Sequence, residues 1–204
     1  MRLCSPDSDA EDAVISVDSW GDIEWKTMHK FAADCKALNI IPNEAPNLSQ
    51  VKDMSSMFKG AQSFNQPLEK WNVSNVTNMS YMFLGASAFD QPLDNWKITH
   101  VTDMESMFME ADKFNQPLNH WDVSNVTNMN MMFKDATSFK QSLDNWDVSK
   151  VNNMREMFYG ASQFSYYPSN WVVPKGSDGD MFKKSGVEAI AKKNPLKKAK
   201  RTEN

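Results

Sequence analysis

Trp71, Trp96, Trp121, Trp146 and Trp171 recur at an unbroken interval of 25 residues. The residues around them repeat as well. Three segments read FNQPLEKWNVSNVTNMSYMFLGASA from Phe64, FDQPLDNWKITHVTDMESMFMEADK from Phe89 and FNQPLNHWDVSNVTNMNMMFKDATS from Phe114, and a fourth starts at Phe139. A half unit precedes them and a decaying one follows. Self-similarity at a period of 20–50 residues is the signature of stacked units that share one continuous core. Such a core cannot be divided into separately folding parts, so 204 residues are expected to form one body.

Within a unit two periodicities alternate. Val76, Met79, Met82, Phe83 and Ala86 fall at offsets of three, six, seven and ten, the stripe of an amphipathic helix. Ser49, Ser74, Thr99, Ser124 and Ser149 stand two residues ahead of it, where a hydroxyl would cap the first turn. Gly60, Gly85 and Gly160 stand where it would end in a left-handed residue, although Glu110 and Asp135 take that place in two units. The other half, such as Gln66 to Val73, is bounded by Pro67 and predicts a brief extended strand. The expected fold is an α/β repeat, a leucine-rich-repeat-like solenoid of about six 25-residue coils, each with a short strand and a short helix.

Four regions follow. Residues 1–18 are acidic and expected to be disordered, and residues 19–45 form an N-terminal cap. Its helix is carried by Ile23, Trp25, Met28, Phe31, Ala32, Cys35 and Leu38. Residues 46–182 hold the repeats, and residues 183–204 a C-terminal cap and a flexible basic tail. With only Cys4 and Cys35, no disulfide framework is expected, which leaves stability to packing. No apolar run reaches the roughly 18 residues of a membrane span. No secretory or lipoprotein signal is read around Cys4, and localisation is left open.

The net charge of −4 combines an acidic start with a lysine-rich end. Between them the repeats carry no basic stripe, which argues against nucleic-acid binding. His29, His100 and His120 are the only histidines and none has a metal-ligand partner at close spacing. No nucleophile, phosphate-loop or dinucleotide motif is present, so neither catalysis nor a cofactor is expected. The Trp column and the Met columns at 54, 79, 104, 129, 154 and 57, 82, 107, 132, 157 are expected to fill the core. Gln66, Gln91, Gln116 and Gln141 are expected to stack as an amide ladder. The column from Asp53 to Asn153 is assigned to solvating the first helical turn.

The phrase WDVSNVTNM, with MF, an Ala and FNQPL around it, resembles the BspA-like leucine-rich-repeat surface protein family. That family includes repeats first seen in mycoplasma lipoproteins. The resemblance covers about residues 46–182 and carries over no catalytic residue. It implies surface display and adhesion, with the strand side concave and ligand-facing. Repeat scaffolds recognise partners through positions that vary from coil to coil. On the extended segment these are Glu69 and Lys70, Asp94 and Asn95, Asn119 and His120, and Asp144 and Asn145. The function expected is a non-catalytic, monomeric scaffold that binds a protein partner. A glycan-binding adhesin with an exposed aromatic or amide face is the second reading.

Overall fold

A computed structural model describes residues 2–4 and 14–199. The expected disorder of residues 1–18 therefore falls largely, at 1 and 5–13, outside the described residues, as does the tail from residue 200. The α/β expectation is overturned. Among the described residues the one helix is α1 (Glu188–Lys193), and the one sheet pairs β1 (Val172–Val173) in parallel with β2 (Lys197–Lys198). The four full repeats that start at Phe64, Phe89, Phe114 and Phe139 contain neither a helix nor a strand. No helix among the described residues is long and apolar enough to cross a membrane.

Each 25-residue unit is instead a string of tight turns. Amides donate to the carbonyl three residues back at Trp71 to Leu68, Val76 to Val73, Met82 to Met79, Ala86 to Phe83 and Phe89 to Ala86. A chain of such turns brings every third or fourth side chain to the same face, which is why its apolar spacing imitates a helix. The alternate amides leave the unit altogether. Those of Met54, Ser56, Phe58 and Gly60 donate to the carbonyls of Asn78, Ser80, Met82 and Leu84 at 2.7–3.0 Å, and the same rungs recur at later units. Bridges between Asp53, Asn78, Asp103, Asn128 and Asn153 run parallel at the same register. Half of the turn segment's amides thus close turns and half join units, which satisfies the backbone without a helix.

This alternation forces two left-handed residues per unit. Ser56, Tyr81, Ser106, Met131 and Glu156 have φ of 52–59°, and Gly60, Gly85, Glu110, Asp135 and Gly160 have φ of 56–72°. The glycine column does hold left-handed residues, but they turn the ladder rather than end a helix. A side chain there costs roughly 1 kcal/mol, which the regular rungs on either side must offset.

The capping helix expected at residues 22–38 is also absent. The amides of Met28, Lys30, Ala32 and Asp34 donate to Asp53, Ser55, Met57 and Lys59, with Lys30 and Asp34 left-handed. This segment is one more turn unit, set one residue further from the next than the 25-residue period, and Ile23 of the supposed stripe is exposed. At the far end, Ser177 to Lys184 is the last unit. It receives the amides of Met154, Glu156, Phe158 and Gly160. Part of the basic tail is anchored there, with Leu196 buried and the Ala199 amide on the Val173 carbonyl.

Two files of phenylalanine form the spine. Phe58, Phe83, Phe108, Phe133, Phe158 and Phe182 lie 5.5–5.7 Å apart ring to ring, nearly parallel. A second file from Phe64 to Phe164 packs face on against it at 4.0–4.1 Å within each unit. Both Met columns are fully buried beside them. Removing one such ring costs about 3–5 kcal/mol.

Cys4 and Cys35 form a disulfide, contrary to the expectation that packing alone stabilises the chain. Two cysteines are too few for a framework, yet one bridge pins the N-terminal segment to the first turn unit. There the Leu3 amide donates to the Phe31 carbonyl and Arg2 pairs with Asp34 at 2.7 Å.

Candidate functional site

The variable pairs singled out from sequence are the two central residues of one turn in each unit. Leu68 and Trp71, Leu93 and Trp96, Leu118 and Trp121, and Leu143 and Trp146 close these turns at 3.0–3.1 Å. The flanking Leu and Trp side chains are buried, which leaves Glu69, Lys70, Asp94, Asn95, His120, Asp144 and Asn145 exposed and Asn119 half-buried. The extended strand expected here does not form, because the turn takes the amides a strand would offer.

The tryptophans fix this display. Each ring is at most 4 % exposed, which removes it as a ligand platform. The indole Nε1 of Trp96 donates to the Leu68 carbonyl, Trp121 to Leu93 and Trp146 to Leu118, at 2.9–3.0 Å. Leu68, Leu93 and Leu118 therefore each accept one bond that closes their own turn and one from the next unit. Apart from this frame the pairs are lightly tethered. Lys70 reaches the Asn43 side-chain oxygen at 3.2 Å, the Asn145 amide donates to Asn119 Oδ1, and Asn170 donates to the Asp144 carbonyl. The structure brings all eight residues onto one line of equivalent turns.

A second set of positions that vary from unit to unit, Ser55 and Ser56, Ser80 and Tyr81, Glu105 and Ser106, Asn130 and Met131, and Arg155 and Glu156, lies in the turn ladder and is less free. Ser55, Ser56, Ser80 and Ser106 are buried. Glu105 accepts from Asn128 and Asn130 at 3.2–3.3 Å. Burial, and then the Glu105 carboxylate beside it, push the Tyr81 hydroxyl up to about 12. Burial also raises Asp103, against the lowering effect of the Glu105 amide it accepts, and the Glu105 carboxylate adds to the rise.

The polar columns take roles that sequence reasoning missed. The Gln side chains do not ladder onto one another. Gln91 donates to Asn65, Gln116 to Asp90 and Gln141 to Asn115, one unit back. The same oxygens accept the amides of Asp90, Asn115 and Lys140. The Asp53–Asn153 column closes turns by accepting the amide two residues on, as at Asn78 to Ser80 and Asp103 to Glu105. The supposed helix-capping hydroxyl residues are on the donating side, since Ser74, Ser124 and Ser149 give their amides to Asn72, Asp122 and Asp147. Bonds from Ser124 and Ser149 hold the Asp122 and Asp147 carboxyls below the usual range. The signal for the last two was an Asx residue two positions before a Ser or polar residue.

His29, Ser55 and Asp53 meet, but in an order unsuited to nucleophilic attack. His29 Nδ1 lies 2.6 Å from Ser55 Oγ, and that hydroxyl donates to Asp53 Oδ1, also at 2.6 Å. The carboxylate touches the serine hydroxyl and not the far side of the imidazole, so it does not orient the ring as the acid of a catalytic triad does. Ser80 and Asn78 repeat the Ser–Asx contact one unit on without a histidine, as a turn feature would. Among the described residues no group of three or more His, Cys, Asp or Glu is placed to hold a metal ion.

No curated protein and no solved structure matches this chain. One family model matches it twice, over residues 26–129 and 93–193, and so includes the turn unit read from sequence as a capping helix. The match supports the mycoplasma side of the resemblance, a repeat family, and not leucine-rich repeats in particular. A 25-residue repeat that begins at the first turn unit and runs through the last places the protein in this group: the chain belongs to the family described as Mycoplasma protein of unknown function, DUF285.

Proposed function

We propose that this protein is a non-catalytic, surface-type repeat scaffold whose line of Leu–x–x–Trp turns presents variable side chains to a protein partner. The observation that supports it is the contrast within each turn. Leu and Trp are constant in the four turns, buried and bonded between units, while the two residues between them change from Glu-Lys to Asp-Asn to Asn-His and are exposed except for the half-buried Asn119. A frame that fixes the position of a side chain while leaving its identity free suits recognition, because little ordering entropy remains to be lost on binding. Adhesion is the finer part of this reading. The glycan alternative loses its aromatic platform to the burial of the Trp column.

The test is partner capture on the immobilised full chain, wild type against a Glu69→Lys, Asp94→Lys, Asp144→Lys variant. The three sites are exposed, so folding should be unchanged within about 0.5 kcal/mol by denaturant titration. The proposal requires that a partner crosslinked to the wild-type turns is lost from the variant. Equal capture by both would sink it.

A further inference from the structure

From Met54 to Gly60 and in the equivalent segments every second amide donates to a carbonyl of the next unit, while flanking amides such as those of Thr77, Thr102, Thr127 and Asn152 donate back to the unit before. The last unit therefore ends the stack with amides that have no following unit to meet. By register these are Asp178, Asp180, Phe182 and Lys184, with Asp180 and Lys184 at the left-handed positions. The Lys184 amide is met by Glu188 of α1 at 3.0 Å. No acceptor among the described residues meets the other three.

Where the next unit would lie there is a cavity of about 370 Å³. Asp178, Asp180 and Phe182 form its floor, and Tyr167, Ala191 and Leu196 are among its walls. The Tyr167 hydroxyl is bonded to the Asn194 carbonyl, which ties the two sides of the opening together. The carboxylates around it are already matched: Asp178 with Lys198, Asp180 with Lys183 at 3.3 Å and Glu188 with Lys192 at 2.8 Å. With each charge paired, neither an anion nor a cation is selected. What remains is a row of three donors, two residues apart, over an aromatic floor.

We propose that this cavity is a docking groove for a segment of another polypeptide, which continues the ladder by giving carbonyl oxygens to the amides of Asp178, Asp180 and Phe182. The protein itself shows which chemistry fits. The equivalent amides of Met104, Ser106 and Phe108 donate to the carbonyls of Asn128, Asn130 and Met132 in a parallel segment, while Phe133 stacks on Phe108. A docked segment therefore runs parallel to Asp178–Lys184, offers main-chain carbonyls at alternate residues and seats one apolar or aromatic side chain on Phe182. Such strand-like addition to an unpaired edge draws affinity from main-chain bonds and specificity from the side-chain slot.

The probe is a synthetic peptide of residues 128–136, titrated into isotopically labelled full chain. The Asp178, Asp180 and Phe182 amides should shift saturably, and their exchange should slow by at least about tenfold. The amides of Met154, Glu156 and Phe158 should not move. Ala191→Trp, which fills the groove, should abolish the shifts while the spectrum of residues 54–160 stays the same. No shift at about millimolar peptide would overturn the proposal, and so would equal shifts with inorganic phosphate alone. A chain carrying the Glu69→Lys, Asp94→Lys, Asp144→Lys changes should bind the peptide unaltered, which separates this groove from the turn line.

Discussion

The rungs of the Met54–Gly60 segment and its equivalents point one way, so along that segment the stack presents carbonyls at its N-terminal end and amides at its C-terminal end. The first end is sealed by covalent means. Leu3 and Arg2 take the Phe31 and Ala33 carbonyls, and Cys4 is bonded to Cys35 beneath them. The second end is covered by a six-residue helix that satisfies one amide through Glu188 and leaves three facing a cavity. An open repeat exposes its core and its hydrogen-bonding groups at both ends, and unpaired edges invite association. Among the described residues the first end has the Phe31 and Ala33 carbonyls met beside a disulfide, while the second has the Lys184 amide met, and the proposed groove would make docking on this scaffold directional.

The largest test of that asymmetry is Cys4→Ala. The bridge spans 31 residues of separation, and losing a loop closure of that length costs up to about 3–4 kcal/mol. The denaturation midpoint should fall, and the Leu3 amide should lose its exchange protection. An unchanged midpoint with Leu3 still protected would mean that the strap holds without its clasp, and the ends would then differ less than their chemistry suggests.

Gly186→Ala probes the other end. A Cβ at Gly186 would lie 2.4 Å from the Phe164 carbonyl oxygen and 2.8 Å from that of Ser162, neither of which can swing aside. A loss of about 2 kcal/mol is expected. Amides near Val173 and Ala199 should exchange faster, while the ladder from Met54 to Phe133 stays protected. Loss of protection throughout would show that the C-terminal cap is as integral as the N-terminal one.

The smallest effect is a pH dependence confined to the C-terminal end. The Lys192 ammonium, and then the Lys184 amide, hold the Glu188 carboxyl below its ordinary value of 4.5. A lowered folded pKa means the stabilisation is complete above that ordinary value and fades as pH falls through the folded one. Exchange at Lys184, corrected for its intrinsic pH dependence, should therefore quicken on acidification below about 4.5, and Glu188→Gln should remove the change. The Leu3 amide, which bonds a neutral carbonyl, should not follow it.

Parts of this architecture were legible in the chain. The 25-residue period, the burial of the Trp and Met columns and the left-handed glycine positions all follow from what each unit repeats. The eight candidate residues were found because they vary between constant Leu and Trp. Their setting was misjudged, since Leu68 to Trp71 closes a turn where Pro67 and Val73 suggested a strand. Cys4 and Cys35 were too few to read as a framework. Only the fold brought Leu3 onto Phe31 and the two thiols together.

The helix is the sharper lesson. Met79, Met82, Phe83 and Ala86 have the spacing of a helical face, and one isolated unit could satisfy its amides only within itself. In the stack, the amides of Met79, Tyr81, Phe83 and Gly85 instead find Asp103, Glu105, Met107 and Met109 one unit further on. Those acceptors are remote in sequence and exist only once the neighbouring unit is in place. Sequence periodicity by itself determined which side chains enter the core and how often. Whether the backbone between them coils or turns was decided by hydrogen bonds from one unit to the next, which only the tertiary structure supplies.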